Sequence, residues 1–494
     1  MQLNLIRALL GLLLLIFSLT MLLPLGFAFY YREETLAAFL LAFTITAATG
    51  AALWLPKRGH QGQLRARDGF LITSLFWLVL GSFGALPLYF ASQLDMTLTD
   101  AVFESVSGLT TTGATVITGL DALPKSLLYY RQQLQWLGGI GIIVIAIAIL
   151  PMLGIGGMQL YKAETPGPMK DNKLTPRITS TAKVLFTIYL VMTIACALCY
   201  WLAGMTPFDA LAHSFSTVAI GGFSTHDASM AYFENYAVLW IGSVFMLLAG
   251  VNFALHYFAF RDRSLLHYWR DSELKFFYAV IFVSCLVAAV LLLKVDGHFA
   301  ALLGGRFDGE AWLDRISHGV FQVVSLATTT GFASTDYTAW PNLLPLFMFY
   351  LAFMGACAGS TGGGLKAIRL LLIIKQGYRE LLRLVHPNAA LPLKIGHRTV
   401  AESVVNAVWS FFAIYVMVFF ALMLAVASTG VDYISAFGAV GATLNNLGPG
   451  LGDVAFNYAS LPSTTKWILC LSMLLGRLEV FTLLVLFTPA FWRK

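Results

Sequence analysis

"VSLATTTGFAST" occupies residues 324–335, and nearly the same words stand at residues 107–116 as "SGLTTTGATV". Both runs are short, small and polar, and both interrupt strongly apolar sequence. Halfway between Gly113 and Gly331 stands Gly222, in "AIGGFST", 109 residues from each. A fourth version, "LNNLGPG", carries Gly448, 117 residues beyond Gly331. Each glycine follows a short segment of moderate hydrophobicity and precedes a long apolar run. One threonine-rich turn would be an ordinary loop. Four in equivalent positions predict an internal fourfold repeat, with a period too long for a solenoid and suited to a pseudo-fourfold ring.

The surrounding sequence sets the solvent. The chain has 494 residues, of which 58% are hydrophobic and 11% charged. A soluble protein of that composition could not cover its surface with polar groups. Apolar runs fall near 3–30, 36–55, 69–92, 132–153, 183–203, 233–260, 276–293, 341–374, 400–427 and 466–491. Many approach or exceed the ~20 residues that cross a ~30 Å hydrocarbon core. The prediction is an all-α polytopic membrane protein, its first run a retained helix rather than a cleaved signal. Weaker segments near 98–110, 208–220, 316–328 and 433–445 are too short to span and read as re-entrant half-helices. Asp100, Asp209 and Asp432 stand near three of their starts, as N-caps would. The implied division is a helix pair at 1–67 and four span, half-helix, loop, span repeats at 68–155, 156–262, 263–385 and 386–494.

Such a ring has a specific physical use. Irregular backbone at membrane depth persists only when buried in protein or lining water. Glycine reaches φ > 0, which turns successive carbonyls toward one axis. Four loops of carbonyls can replace the hydration shell of a bare cation. Half-helices entering from one side also aim their partly negative C-termini at that axis. The expected cation ligands are Thr110, Thr111, Thr112 and Gly113; Ala219, Ile220, Gly221 and Gly222; Thr328, Thr329, Thr330 and Gly331; and Asn445, Asn446, Leu447 and Gly448.

Two further features suggest a gate. Residues 340–374 would make a helix of ~52 Å at ~1.5 Å per residue, longer than the bilayer core. Gly355, Gly359, Ser360, Thr361, Gly362, Gly363 and Gly364 interrupt it. A pore-lining break below the filter explains them. A phosphate loop does not, because Leu365 stands where that motif needs lysine. A cytoplasmic turn ending the helix near Gly355 is the rival. Arg477 is expected midway along the final span, where a charge is costly unless it meets water or a partner. Glu479 is two residues away, so the two do not share a helix face.

Charge orients the chain. With the loop around residues 56–68 inside, the inner loops and tail hold twenty Lys and Arg, and the outer side holds seven against sixteen acids. That bias puts both termini in the cytoplasm and brings all four half-helices in from outside. An acidic outer mouth favours cations. The five cysteines lie in apolar stretches, so "CALC" at 196–199 reads as packing rather than a redox or zinc pair. The nine histidines are scattered, with His213 and His318 read as capping or packing groups, and no catalytic cluster emerges. An enzyme is not expected. A proton- or sodium-coupled carrier is the alternative, with Glu402 and Glu479 its main intramembrane carboxylates.

These words, together with "STVAIGGFSTHDAS", "TLNNLGPGLG", "GACAGSTGGGLK" and "LLGRLEVFTLL", resemble the Trk/Ktr/HKT superfamily of potassium transporters over essentially the whole chain. The extra N-terminal helix pair resembles its TrkH branch more than the shorter KtrB branch. The resemblance implies uptake of the potassium ion across the bacterial inner membrane through a channel-like pore. It also implies a homodimer and a cytoplasmic TrkA-like nucleotide-binding regulatory subunit, with no nucleic-acid partner. The family's filter glycine is present in all four repeats, although the second and fourth signatures depart from T-T-T-G. The family's equivalent of Arg477 lies near the Gly-rich segment below the filter.

Overall fold

The computed structural model describes residues 2–57, 66–144, 178–293, 311–340, 343–396 and 398–493. Much of the expected basic inner surface, at 58–65 and 145–177, lies outside the described residues, as do the expected boundary at 155 and the outer-loop charges at 294–310. Among the described residues six helices are long and apolar enough to cross a membrane, or eight if two bent pairs each count as one span. Leu3–Thr20 and Leu22–Tyr31 form one span, and Leu36–Trp54 returns beside it. Gly11 and Gly50 allow that pair to touch: a Cβ at Gly50 would lie 2.9 Å from the carbonyl oxygen of Gly11. Small residues are what permit such close helix packing in lipid.

Four groups of three helices follow. Each has an outer helix, a half-helix and an inner helix. They are Ala66–Gly84, Leu98–Leu109 and Lys125–Val144; Ile178–Leu202, Pro207–Ala219 and Tyr236–Ala249; Ser272–Leu293, Ala311–Ala327 and Leu343–Met354; and Glu402–Ala427, Tyr433–Leu444 and Ser463–Arg477. Every half-helix packs between the outer and inner helices of its own group. It also meets the inner helix of the preceding group. Lys125–Val144 lies on the second half-helix, Tyr236–Ala249 on the third and Ser463–Arg477 on the first. Phe349 of the third inner helix stacks near Phe437 of the fourth half-helix, 5.8 Å between centroids. The ring therefore closes.

The structure corrects three expectations. First, Asp100 and Asp209 are not N-caps. Thr97 and Thr206 cap their helices by accepting the Asp100 and Asp209 N–H groups at 3.2 and 3.1 Å. Their hydroxyls donate back to the same aspartates at 2.7 Å. These are capping boxes with Asp in the third helical position. Asp432 does cap the fourth, accepting from Ile434 and Ser435.

Second, the run 233–260 is not one straight helix. It breaks at 250–252 and turns by 89° into Phe253–Arg261, because Asn252 caps a new helix by accepting the Ala254 N–H at 2.8 Å. Third, the final span does not continue through Arg477. The helix ends there and turns by 109°, with Glu479 and Val480 at φ 52° and 55°. Leu343–Met354 likewise stops at Gly355, and Ala367–Val385 starts anew after the Gly-rich segment. Among the described residues, the second, third and fourth inner helices thus break within a few residues of corresponding positions. The strand pairing among the described residues is a two-residue ribbon joining Lys394–Ile395 to Arg398–Thr399.

Candidate functional site

The sixteen predicted ligand positions meet as four loops with one backbone rule. The residue two before each glycine is left-handed: Thr111 at φ 54°, Ile220 at 54°, Thr329 at 67° and Asn446 at 53°. The glycines follow suit, Gly113 at 81°, Gly222 at 80°, Gly331 at 82° and Gly448 at 94°. A non-glycine residue at positive φ is uncommon, and four in register demand support from their surroundings. That support begins at the backbone. The N–H just before each glycine returns to the carbonyl five residues earlier: Thr112 to Ser107, Gly221 to Ser216, Thr330 to Ser325 and Leu447 to Ala442, all within 2.8–2.9 Å. Each loop is thereby folded onto the C-terminus of its own half-helix.

The four loops lie shoulder to shoulder. A Cβ at Gly113 would collide with the Gly221 carbonyl, one at Gly222 with that of Thr330, and one at Gly331 with that of Leu447. One at Gly448 would lie 2.7 Å from the Thr112 carbonyl, which completes the circuit. Two independent needs, the positive φ and the missing side chain, therefore fix glycine at these positions.

Side chains brace the loops from behind. Nine residues before each glycine stand Glu104, His213, Gln322 and Ala439. Glu104 accepts from the Val116 N–H at 2.9 Å and from the Thr115 hydroxyl, and is paired with Arg131 at 2.8 Å. His213 meets the Ser224 hydroxyl at 2.9 Å. Gln322 spans Phe332 O and Ser334 N at 3.4 Å. In the fourth group small residues leave room instead. Gly438 sits against the Leu451 backbone, and the Tyr458 hydroxyl donates to Gly448 O at 2.6 Å. The sequence reading did not single out Glu104, Arg131, Gln322 or Tyr458. Counting back from each glycine would have exposed the first and third.

The Gly-rich segment is not a solvent-side turn. Gly355, Ser360, Thr361, Gly362 and Gly363 are buried, and Gly364 is half-buried. It lies against the filter-like loops. Gly363 N–H donates to the Thr329 hydroxyl at 2.7 Å, and Gly364 N–H to Asn445 O at 3.1 Å. The Thr361 hydroxyl donates to Val218 O at 3.0 Å. Gly359 stands apart and exposed, its carbonyl taking the Phe253 N–H at 3.0 Å, at the break in the second inner helix. Gly355 packs where the segment crosses itself, against Gly363 and Gly364.

Arg477 is buried beside this segment. Its Nη1 donates to Thr361 O at 3.0 Å and its Nη2 to Gly138 O at 2.9 Å. Its guanidinium lies 5.5 Å from the Trp77 ring. It thus ties the break of the fourth inner helix to the Gly-rich segment and to the first inner helix. Glu479 pairs instead with Arg369, the first basic residue of the helix that follows that segment. Glu402 is exposed and paired with Arg379 at 2.6 Å.

At the rim beyond the filter-like loops, His226 contacts Asp121 of the first loop and Asp209 of its own repeat's half-helix. Nδ1 meets Asp121 at 2.5 Å and Nε2 lies 3.4 Å from Asp209. Burial opposes charging of this imidazole, but its bonds to Asp209 and Asp121 outweigh burial and hold its pKa above 6.5. No His, Cys, Asp and Glu grouping suited to a resident metal occurs among the described residues. The ring instead offers backbone and hydroxyl oxygens, the donors that suit a passing hard monovalent cation.

Comparison with known proteins agrees with this architecture. The family model for TrkH, described as a cation transport protein, matches residues 35–494. This chain belongs to the TrkH family. The Trk system potassium uptake protein TrkH of Halomonas elongata is 54% identical over the full length of both chains. That of Escherichia coli strain K12 is 53% identical, also over both full lengths. The crystal structure of the potassium transporter TrkH from Vibrio parahaemolyticus superposes with a TM-score of 0.89 at 51% identity, covering both chains completely. The TrkH-family chain described here is accordingly a multi-pass membrane protein.

Proposed function

We propose that this chain takes up potassium across the bacterial inner membrane through a channel-like pore. The four loops form its selectivity filter, and the Gly-rich segment and Arg477 form its gate. The observation that carries this reading is the fourfold alternation of left-handed residue and left-handed glycine in loops that contact one another around a closed circuit. It offers one set of oxygens per repeat to one ion. The full-length relatives, named potassium uptake proteins, support the same substrate. The chain divides into the helix pair at 1–67 and repeats at 68–155, 156–262, 263–385 and 386–494.

Coupling is not required. A membrane potential of ~150 mV supplies ~3.5 kcal/mol per charge, and each tenfold of accumulation costs ~1.4 kcal/mol. A passive pore therefore sustains accumulation of a few hundredfold. The two carboxylates that the sequence offered to a coupled carrier both hold basic partners, Glu402 with Arg379 and Glu479 with Arg369. The partners are a second copy of the chain and a cytoplasmic TrkA-like nucleotide-binding subunit, with both termini on the cytoplasmic side. The deciding experiment is potassium flux in proteoliposomes with the proton gradient collapsed. Undiminished flux supports a pore, and abolished flux replaces it with a proton-coupled carrier.

A further inference from the structure

Each repeat closes onto the next at a single register. The residue eighteen positions after each filter glycine is Arg131, Trp240, Phe349 or Lys466. All four stand on inner helices, and all four reach into the next repeat. Arg131 Nη1 donates to Ser224 O of the second loop at 3.0 Å, with its guanidinium 4.3 Å from the Phe223 ring. Trp240 Nε1 donates to Ser317 Oγ on the third half-helix at 3.3 Å. Phe349 lies against Gly441 of the fourth half-helix, where an added Cβ would be 2.7 Å from its ring. Lys466 Nζ donates to Asp100 Oδ1 on the first half-helix at 2.6 Å, and to Ala459 O at 3.0 Å.

The four staples are not chemically equal. Two are neutral. The two cations occupy the junctions on either side of the first repeat. Arg131 and Glu104 are 1% and 0% exposed, so neither charge relaxes into water. The three nitrogens of Arg131 serve three acceptors: Nε takes Glu104 at 2.8 Å, Nη1 takes Ser224 O, and Nη2 takes the Thr115 hydroxyl at 3.1 Å. Thr115 and Ser224 each lie two residues beyond their filter glycines, Gly113 and Gly222. One planar group therefore fixes the distance between the first and second loops just outside the filter. Only a fork can do so, because a lysine ammonium is a point charge without fixed donor directions.

We infer that Arg131 and Lys466 are positioning residues for ion selectivity, Arg131 holding the first filter loop against the second and Lys466 holding the start of the first half-helix against the fourth repeat. Selectivity then depends unequally on the four junctions, and most on that of Arg131. The inference rests on the filter reading given above. The test uses the full chain in lipid bilayers and reads the K⁺/Na⁺ permeability ratio from reversal potentials. Arg131→Lys keeps the charge but loses the fork, and the ratio should fall about tenfold in protein that remains monodisperse. Trp240→Phe, which loses one neutral bond, should change it less. An unchanged ratio in Arg131→Lys, or an equal fall in Trp240→Phe, overturns the inference.

If Arg131→Lys does not fold, Lys466→Gln carries the test, since that junction is less enclosed. Its ratio should also fall, and a wild-type ratio would again overturn the inference. Gly113→Ser measured alongside separates the two readings. Should it shift the ratio while the staple variants do not, only the staples are wrong. Should none of these variants shift it, the filter reading has failed.

Discussion

At the scale of single residues, this site is built where side chains are missing. Gly113 stands at φ 81° against the Gly221 carbonyl, so any side chain there strains the backbone and crowds the next loop. Gly113→Ser should therefore lower the K⁺/Na⁺ permeability ratio more than it lowers folded yield, and reversal potentials check this. Arg477 poses the opposite question. A fixed positive charge ~5 Å from a cation path costs ~3 kcal/mol at an effective dielectric of ~20, which is roughly a hundredfold in rate. Arg477→Ala should raise flux per folded molecule toward that limit. Arg477→Lys should keep much of the barrier while losing one of the two ties to Thr361 O and Gly138 O. A fall in normalised flux for the alanine variant would end the gating reading.

His226 adds a pH dependence at the rim of the ring. Asp121 and Asp209 face it directly, Asp227 N–H reaches Asp121 at 3.4 Å, and the His213 ring lies 6.4 Å away. Folding raises the pKa of His226, so its protonated form is favoured in the native state. Its contribution is complete below about pH 6.5 and is lost as pH rises through the folded value. Thermal stability in detergent should therefore decline as pH rises above about 6.5, and His226→Gln should flatten that decline. The four glycines were legible in the sequence because a backbone requirement admits few residue types. Glu104 and Arg131 were not, because 27 residues separate them and only the folded chain brings an acid and a base together.

At the scale of elements, the half-helices were the easiest to read and the inner helices the hardest. Short apolar segments bounded by polar turns predicted all four half-helices to within a few residues at their C-terminal ends. The inner helices looked continuous because apolar sequence runs through their breaks. In lipid, hydropathy reports burial and not straightness, so neither the 89° turn after Ala249 nor the 109° turn after Arg477 left a hydropathy signal. Only Asn252, a capping residue within an apolar run, hinted at the first. The Gly-rich segment was visible because glycine both breaks helices and permits contact with Thr329 and Asn445. Deleting Gly359 to Gly364 should raise potassium flux in liposomes without any partner protein. Wild-type flux in a folded deletion variant would mean that the segment braces the filter without obstructing the pore.

At the scale of the whole molecule, one helix presents an exposed apolar face among the described residues. The helix Ala367–Val385 buries Ile368, Leu372, Gln376 and Arg379 against the protein. Its opposite face presents Ile374, Tyr378, Leu381 and Val385, which are 52%, 64%, 64% and 69% exposed. These follow a spacing of four, three and four residues, the seam of a helix that packs on another. Lipid is a poor explanation, because Lys375, Glu380 and Arg383 place charges among these residues on the same helix. The second copy of the chain proposed above would fit here, since a twofold axis sets the same stripe against itself. Each large side chain covered in this way is worth about 1.5–3 kcal/mol. Leu381→Glu with Val385→Glu should convert the proposed dimer to monomers in light scattering. As surface changes they should alter folding stability little. Flux per chain should survive, because each chain carries its own ring of four loops. A variant that remains dimeric would assign the dimer contact to another face and leave the stripe for a different partner to cover.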